Sequence, residues 1–542
     1  MSEQDLAAET TVARTHGDFD VVVVGAGFAG LYMLHRLRGL GFTAVVLEAG
    51  GGVGGTWYWN RYPGARCDVE SMEYSYQFSQ ALQQEWEWSE RYSAQPEILR
   101  YVNHVADRFD LRRDVRFNTR VRSATFDEAA GRWNVETEDG LQVTAAFCVM
   151  ATGCLSSINT PDFKGLDTFK GPCYHTGGWP HEGVDFTGQR VGIIGTGSSA
   201  IQSIPIIANQ AAHLHVFQRT PNYVVPARNA PLDPAVREEF KTHYPMLRQQ
   251  AKQRRNGILY PPNEDSALEV DAAEREREFQ ARWERGGLAF LGSFSDLLLD
   301  EDANGAAAAF IREKIRQIVR DPAVAELLSP HSLFGCKRLC IDSGYFETFN
   351  RSNVTLVDVS TDAIDEITGE GVRVKDELHA LDAIVLATGF DAMTGALNKI
   401  DIRGVGGQTL KEKWRGGPRM YLGLAAAGFP NLFTITGPGS PSVLTNMLPS
   451  IEQHVDWIAE CLAHLRTRGK ARIEPTAEAE DAWVEHVNWV ASRTLLPGAN
   501  SWYMGANIPG KPRVFMPYIG FPAYQRKCEE VVRNGYEGFE LS

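Results

Sequence analysis

Twice in this chain a run of β-branched residues ends in a glycine-rich turn and passes at once into a helical pattern. No other feature restricts the fold as strongly. The first unit reads Phe19-Asp20-Val21-Val22-Val23-Val24, then Gly25-Ala26-Gly27-Phe28-Ala29-Gly30, then Leu31-Tyr32-Met33-Leu34-His35-Arg36-Leu37. Strand, turn and helix follow in the order a dinucleotide-binding unit requires. Gly25 permits the tight turn, Gly27 lets the backbone approach a pyrophosphate, and Gly30 lets helix and strand pack closely. The unpaired N–H groups of the helix N-terminus then face the anion. The second unit reads Arg190-Val191-Gly192-Ile193-Ile194 followed by Gly195-Thr196-Gly197-Ser198-Ser199-Ala200, with alanine in place of the last glycine. One such turn alone is weak evidence, whereas two in this context imply two nucleotide sites.

The strands that follow the two turns end in opposite charges. Ala44-Val45-Val46-Leu47 runs into Glu48, eighteen residues after Gly30. A carboxylate there accepts hydrogen bonds from a free ribose hydroxyl and repels a 2′-phosphate, so the first site is expected to hold the adenosine of FAD or NAD. Leu214-His215-Val216-Phe217 runs into Gln218-Arg219-Thr220, with Arg219 nineteen residues after Ala200. An arginine in that register pairs well with a 2′-phosphate, which makes the second site one for NADPH. Two apolar strands close on the same tripeptide, Ala151-Thr152-Gly153 and Ala387-Thr388-Gly389. Together they resemble the segments with which two-dinucleotide flavoproteins cross between nucleotide domains, and imply such crossings here.

Composition narrows the class further. A net charge of −14 argues against nucleic acid or an anionic lipid surface as partner. The eight cysteines form no C-x-x-C pair and no zinc-like spacing, so free thiols in a reducing compartment and no metal are expected. The first twenty residues are polar and acidic, with no apolar stretch like a signal peptide. The longest apolar run, residues 21–34, is broken by glycines and too short to span a bilayer. A soluble, cytoplasmic, monomeric enzyme is the expectation.

Two longer motifs narrow the chemistry. Phe169-Lys170-Gly171-Pro172-Cys173-Tyr174-His175-Thr176-Gly177-Gly178-Trp179-Pro180 stands just before the second turn, and Gly54-Gly55-Thr56-Trp57-Tyr58-Trp59-Asn60-Arg61-Tyr62-Pro63-Gly64-Ala65-Arg66-Cys67-Asp68 follows the first. With the paired turns, these resemble the fingerprint and the G-G-x-W-x-x-x-x-Y-P-G-x-x-x-D pattern of type I Baeyer–Villiger monooxygenases, over nearly the whole chain. The resemblance implies an α/β fold with two Rossmann-like domains, for FAD and NADPH, and a helical insertion. The expected divisions are an FAD domain over 1–153, an NADP domain over 154–225, the insertion over 226–330, the NADP domain again over 331–380, and the FAD domain again over 381–542. It also implies NADPH- and dioxygen-dependent conversion of cyclic, aryl-alkyl or steroid ketones to esters or lactones, through a peroxide on the flavin.

Residue roles follow from the same resemblance. Arg338 and Asp68 are the catalytic pair: the guanidinium stabilises the anion and orients the nicotinamide, and the carboxylate holds it in place. Gly25, Gly27, Phe28, Gly30 and Glu48 would bind FAD together with Gly55, Thr56, Trp57, Trp59, Asp68, Tyr74, Val121 and Met447. Thr196, Gly197, Ser198, Ser199, Gln202, Arg219 and Thr220 would bind NADP together with Lys337, Arg338 and Trp502. Val443, Leu444 and Met447, on a glycine- and proline-rich loop leading into a helix, suit the hydrocarbon surface of a ketone. In the fingerprint, Phe169, Gly171, His175, Trp179 and Pro180 contain no obvious nucleophile or acid. They read as a conformational linker with His175 as a hydrogen-bonding relay. The alternative is an N- or S-oxidising flavin monooxygenase, against which Trp179-Pro180 argues. A disulfide reductase would need paired cysteines, and a redox-sensing module need not keep Asp68 with Arg338.

Overall fold

The computed structural model describes residues 16–542. The reading of the chain's start as lacking an apolar leader therefore falls largely outside the described residues. Two sheets carry the two glycine turns. In the first, eight strands run in the order Asp401–Arg403, Val121–Asp127, Arg132–Thr137, Gln142–Met150, His16–Val24, Ala44–Leu47 and Val115–Arg116, with Leu432–Thr434 also paired to Gln142–Met150. In the second, five parallel strands run Val354–Asp358, His213–Gln218, Arg190–Ile194, Ala383–Leu386 and Cys173–His175. Each glycine turn leaves the middle of its sheet, and the strand bearing Glu48 or Arg219 at its end lies directly alongside.

The apolar runs form strands because both faces are covered. Val21, Val22 and Val23 are fully buried, as are Val191 and Ile193. Parallel strands of this kind read as continuous β-branched runs, and each such side chain contributes about 1.5–3 kcal/mol through burial. The helices Phe28–Gly39 and Ser198–Gln210 then start at the glycines, with Gly27 and Gly197 as their N-caps.

The two Ala-Thr-Gly tripeptides do the same thing in each sheet. The Ala151 N–H donates to Val24 and that of Ala387 to Ile194, both at 2.9 Å. Gly25 and Gly195 take positive φ values of 106° and 115°. A Cβ on either would lie 2.6 or 2.5 Å from the carbonyl oxygen of Ala151 or Ala387. The first glycine of each turn is therefore required by the crossing strand beside it as well as by its own backbone.

After these tripeptides the chain does cross between the sheets, and the two crossing segments run antiparallel. Asn159 donates to Gly389 at 3.0 Å, Asp391 to Ser157 at 2.8 Å and Met393 to Cys154 at 2.8 Å. The return expected at residue 381 comes later, because Ala383–Leu386 is still a strand of the second sheet. Ala-Thr-Gly marks where the chain leaves a sheet, so the strand before it belongs to the sheet being left.

Residues 234–328 carry four α-helices, Pro234–Lys252, Ala272–Arg285, Glu301–Ile318 and Pro322–Leu328. Asp321-Pro322 begins the last of these. The Asp321 carboxylate accepts from the N–H groups of Ala323 and Val324, and proline suits the first helical turn. Short parallel strands Val224–Pro226 and Cys340–Asp342 pair with each other and clasp this excursion at its base. All eight cysteines are unpaired. Among the described residues, no helix is long and apolar enough to cross a membrane.

Candidate active site

Arg338 stands two residues before Cys340–Asp342, the clasp strand whose Cys340 lies beside Ser198 of the second turn. Its Nε and Nη2 donate to the two carboxylate oxygens of Asp68 at 2.9 and 2.7 Å, and its Nη1 donates to the Val443 carbonyl at 2.7 Å. The pair is partly enclosed, with side-chain exposures of 25% and 27%. Burial works against the guanidinium charge, but the Asp68 carboxylate outweighs it and holds the Arg338 pKa above its ordinary value. The Tyr503 phenol lies against the same guanidinium, and burial pushes its pKa up to about 12.

The first turn and its strand end meet as the sequence implies. Glu48 follows its strand directly and is buried, accepting from the N–H groups of Ala26 at 2.6 Å and Gly50 at 2.7 Å. Burial raises its pKa, and these two donors act in the opposite direction. Gly27 and Gly55 come together closely, since a Cβ on Gly27 would sit 3.4 Å from the Gly55 Cα. That backbone cradle fits a phosphate-bearing chain.

The aromatic residues divide differently. Trp57 is a core residue, its indole donating to the Tyr74 hydroxyl at 3.1 Å, while Trp59 is half-buried beside Tyr58 and Thr56 is exposed. Phe28 packs edge-on to Tyr74 at 5.7 Å. Val121 is buried in the cluster behind Val22, Val24 and Leu47.

At the second turn, the Thr196 hydroxyl donates to the Thr220 carbonyl at 2.8 Å, and Ser198 lies 3.1 Å from the Cys340 sulfur. Arg219 is exposed at the end of its strand, and Lys337 faces it. Burial lowers the Lys337 pKa, and the charge of Arg219 lowers it further. Among the described residues, neither makes an ion pair within 4 Å. Two cations held together without a carboxylate suit a dianionic phosphate. Gln202 ties the second turn to the first domain. It accepts from Tyr62 at 2.8 Å and donates to the Arg66 carbonyl at 3.1 Å, and Gly64 passes so close that a Cβ would lie 2.3 Å from its carbonyl oxygen.

The fingerprint sits on the crossing segments. His175 Nδ1 accepts from the Gly177 N–H at 2.9 Å, so the proton belongs on Nε2, which lies 3.2 Å from the Asn159 carbonyl and from the Thr388 hydroxyl. Burial lowers its pKa, so the ring is neutral. Thr176 reaches Ser199 of the second turn at 3.1 Å. Trp179 is buried against Tyr174 and Phe186, with Pro180 following it. Gly171 is pressed between the Phe169 ring and Asp382, whose carbonyl oxygen a Cβ would approach to 2.3 Å.

Around the Val443 carbonyl lies a separate apolar cluster. Val443, Tyr503, Phe515, Met516, Met393 and Cys154 belong to its buried part, and Leu444, Met447 and Trp502 pack on it. Met447 also touches the main core, so it stands where the substrate loop meets the first domain. Trp502 lies against Tyr503 with ring centroids 4.3 Å apart. Its loop is pinned by Asn507 donating to Phe390 at 2.7 Å and by Lys511 reaching Asp391 at 2.5 Å and the Ala392 carbonyl at 2.7 Å.

Three features escape sequence reasoning. The apolar side chain of Val443 suits a ketone, yet its carbonyl is what touches Arg338. Tyr503 is buried and its neighbour Trp502 only partly so. Lys511 reads as a routine surface cation.

Residues 22–256 match the family model described as pyridine nucleotide-disulphide oxidoreductase. A curated relative from Pseudooceanicola batsensis, named Baeyer-Villiger monooxygenase, is 47% identical over 537 residues, covering 97% of each chain. The phenazine N-monooxygenase of Lysobacter antibioticus is 42% identical over 533 residues, also covering 97% of each. A solved structure described as oxidised steroid monooxygenase bound to NADP matches with a TM-score of 0.93 and 56% identity, over 97% of this chain and 99% of its own. With close similarity running through both sheets, the clasp and the pinned loop, the protein belongs to the Baeyer–Villiger monooxygenase family.

Proposed function

We propose that this protein oxidises ketones to esters or lactones, using FAD, NADPH and dioxygen, with Arg338 and Asp68 at the reacting centre. The observation that carries the reading is the three-point hold on Arg338, two bonds to Asp68 and one to Val443. When bound, FAD reduced by NADPH supplies the activated oxygen. The chain's own residues do the rest.

Gly25, Gly27 and Gly30 with Glu48 bind the FAD pyrophosphate and ribose. Arg219 and Lys337 bind the 2′-phosphate of NADPH, which supports a preference over NADH. Arg338 keeps its proton at any working pH and offers its remaining N–H groups as fixed donors to negative charge that develops beside it. Asp68 orients that guanidinium. Val443, Leu444 and Met447, with Met516, exclude water and contact the hydrocarbon part of the ketone. His175 links the crossing segments, so the fingerprint acts on the geometry between domains. The unpaired cysteines support a reducing, cytoplasmic setting. We take the working unit to be a single chain.

Purified protein should carry a yellow cofactor and, with NADPH, air and a ketone panel, give products one oxygen heavier than substrate. A colourless protein, or NADPH oxidation with every ketone but no ester, would count against this function. The similarity to a phenazine N-monooxygenase favours one second reading, oxidation of an aromatic ring nitrogen at the same centre. Adding a phenazine to the panel separates the two.

A further inference from the structure

Beside the substrate loop lies a cavity of about 190 Å³ that opens to the surface, and Arg338 is not among its lining residues. Pro438 and Gly439 of the loop form one wall, Trp483, Val484 and Val487 of the helix Ala477–Ser492 a second, and Val514, Phe515 and Met516 a third. These walls are tied together. The Trp483 indole donates to the Gly439 carbonyl at 3.0 Å, and the Gly439 N–H donates to the Met516 carbonyl at 2.7 Å. Phe515 and Met516 also belong to the apolar cluster around Val443, so one short segment separates the cavity from that cluster.

An apolar cavity of roughly 150 Å³ accepts a benzene ring, so this one has room for one monocyclic molecule. Its polar edge is rich in donors: Lys413, Arg419 and the Asn488 amide. Lys413 and Arg419 are already neutralised by Glu480 and Asp481. The edge therefore suits a neutral acceptor such as a carbonyl better than a free anion.

We propose that this cavity is a second binding site, for a small cyclic ketone or the ester made from it. The identity of the occupant rests on the function proposed above; the cavity and its lining do not. Val487 is buried in the wall, on a helix that carries none of the residues assigned to catalysis or cofactor binding, so Val487→Trp should fill the space and leave the reacting centre intact.

The test is equilibrium dialysis of oxidised holoenzyme with NADP against radiolabelled cyclohexanone, and separately against ε-caprolactone. Wild-type protein should hold one more equivalent per chain than Val487→Trp, of ketone, of lactone or of both, and the arm that shows the difference names the occupant. Val484→Trp, one turn earlier on the same helix wall, should lose the same equivalent and serves if Val487→Trp does not fold. Equal stoichiometry in wild type and a folded variant, with both probes, overturns the proposal. Failure of the catalytic reading would show separately, as wild-type turnover yielding no lactone from cyclohexanone.

Discussion

Arg338 and Asp68 meet through two parallel N–H···O bonds across 270 residues of sequence, at 2.9 and 2.7 Å. Such a pair fixes the plane of the guanidinium as well as its position. Asp68→Asn keeps the size of the side chain but replaces one acceptor oxygen by a donor, which the guanidinium cannot face. Ester formation should fall by about ten- to a hundredfold, corresponding to loss of a charged hydrogen bond worth roughly 1.5–3 kcal/mol. NADPH oxidation should fall less, so hydrogen peroxide should appear in place of ester. Arg338→Lys should not restore activity, since an ammonium cannot make the paired bonds. Ester and peroxide yields per NADPH measure both effects.

Among the described residues, neither Arg219 nor Lys337 has a carboxylate partner within 4 Å. Arg219→Ala should raise the KM for NADPH by about ten- to a hundredfold and leave that for NADH nearly unchanged. Lys337 has its pKa lowered by burial and by Arg219. Its charge is therefore lost at lower pH than that of an ordinary lysine, and the KM for NADPH should climb early on the alkaline side. In Arg219→Ala, removal of the neighbouring charge should move that climb to higher pH. Steady-state kinetics with both nucleotides across pH 7–10 test the order; equal effects on NADPH and NADH would remove the 2′-phosphate assignment.

Tyr503 presses its phenol against Arg338 from a loop pinned to Phe390, Asp391 and Ala392. Tyr503→Phe removes a polar group beside the guanidinium and should lower kcat by about tenfold, near 1.4 kcal/mol. The KM for NADPH should stay within twofold, which separates a positioning role from general damage to the loop. A kcat equal to wild type would make Tyr503 a packing residue only.

His454 is fully buried, and its Nδ1 accepts from the Thr436 N–H at 2.9 Å. Burial takes its pKa down from 6.5 to about 3. The folded state thus binds this proton less readily than the unfolded state, so the contribution of His454 is complete above about pH 6.5. It is lost progressively as the pH falls from there toward 3, at about 1.4 kcal/mol per unit. Burial also lowers the pKa of His175, which acts in the same direction. Melting temperature should drop between pH 7 and 5, and His454→Gln should flatten that slope. A slope unchanged by the substitution would place the acid sensitivity elsewhere.

Local signals carried furthest in this chain. The glycine turns, Glu48 and Arg219 were legible because a strand, a turn and a strand end are fixed by neighbours within about thirty residues. The paired Ala-Thr-Gly segments were legible as crossings, although not the side on which the preceding strand lies, since β-branched runs look alike in either sheet. Asp68 with Arg338 could be named only through resemblance, because nothing in their spacing brings residues so far apart together. The protein contacts of Trp57, Gln202 and Tyr503 were not legible for one shared reason. Their environment is set by a second segment distant in sequence: Tyr74 for the first, Tyr62 and Arg66 for the second, and Arg338 for the third. A backbone role such as the Val443 carbonyl leaves no trace in side-chain chemistry.

The most direct measurement is ester formed per NADPH consumed by Arg338→Ala, with a ketone accepted by the wild type, in air, with products identified by mass. The guanidinium donates to developing charge, so its loss should lower ester formation by a factor of about 10²–10³, near 2.7–4 kcal/mol. FAD should remain bound, since its proposed pyrophosphate and ribose contacts lie at the first turn. Ester formed by Arg338→Ala at the wild-type rate would contradict the central claim.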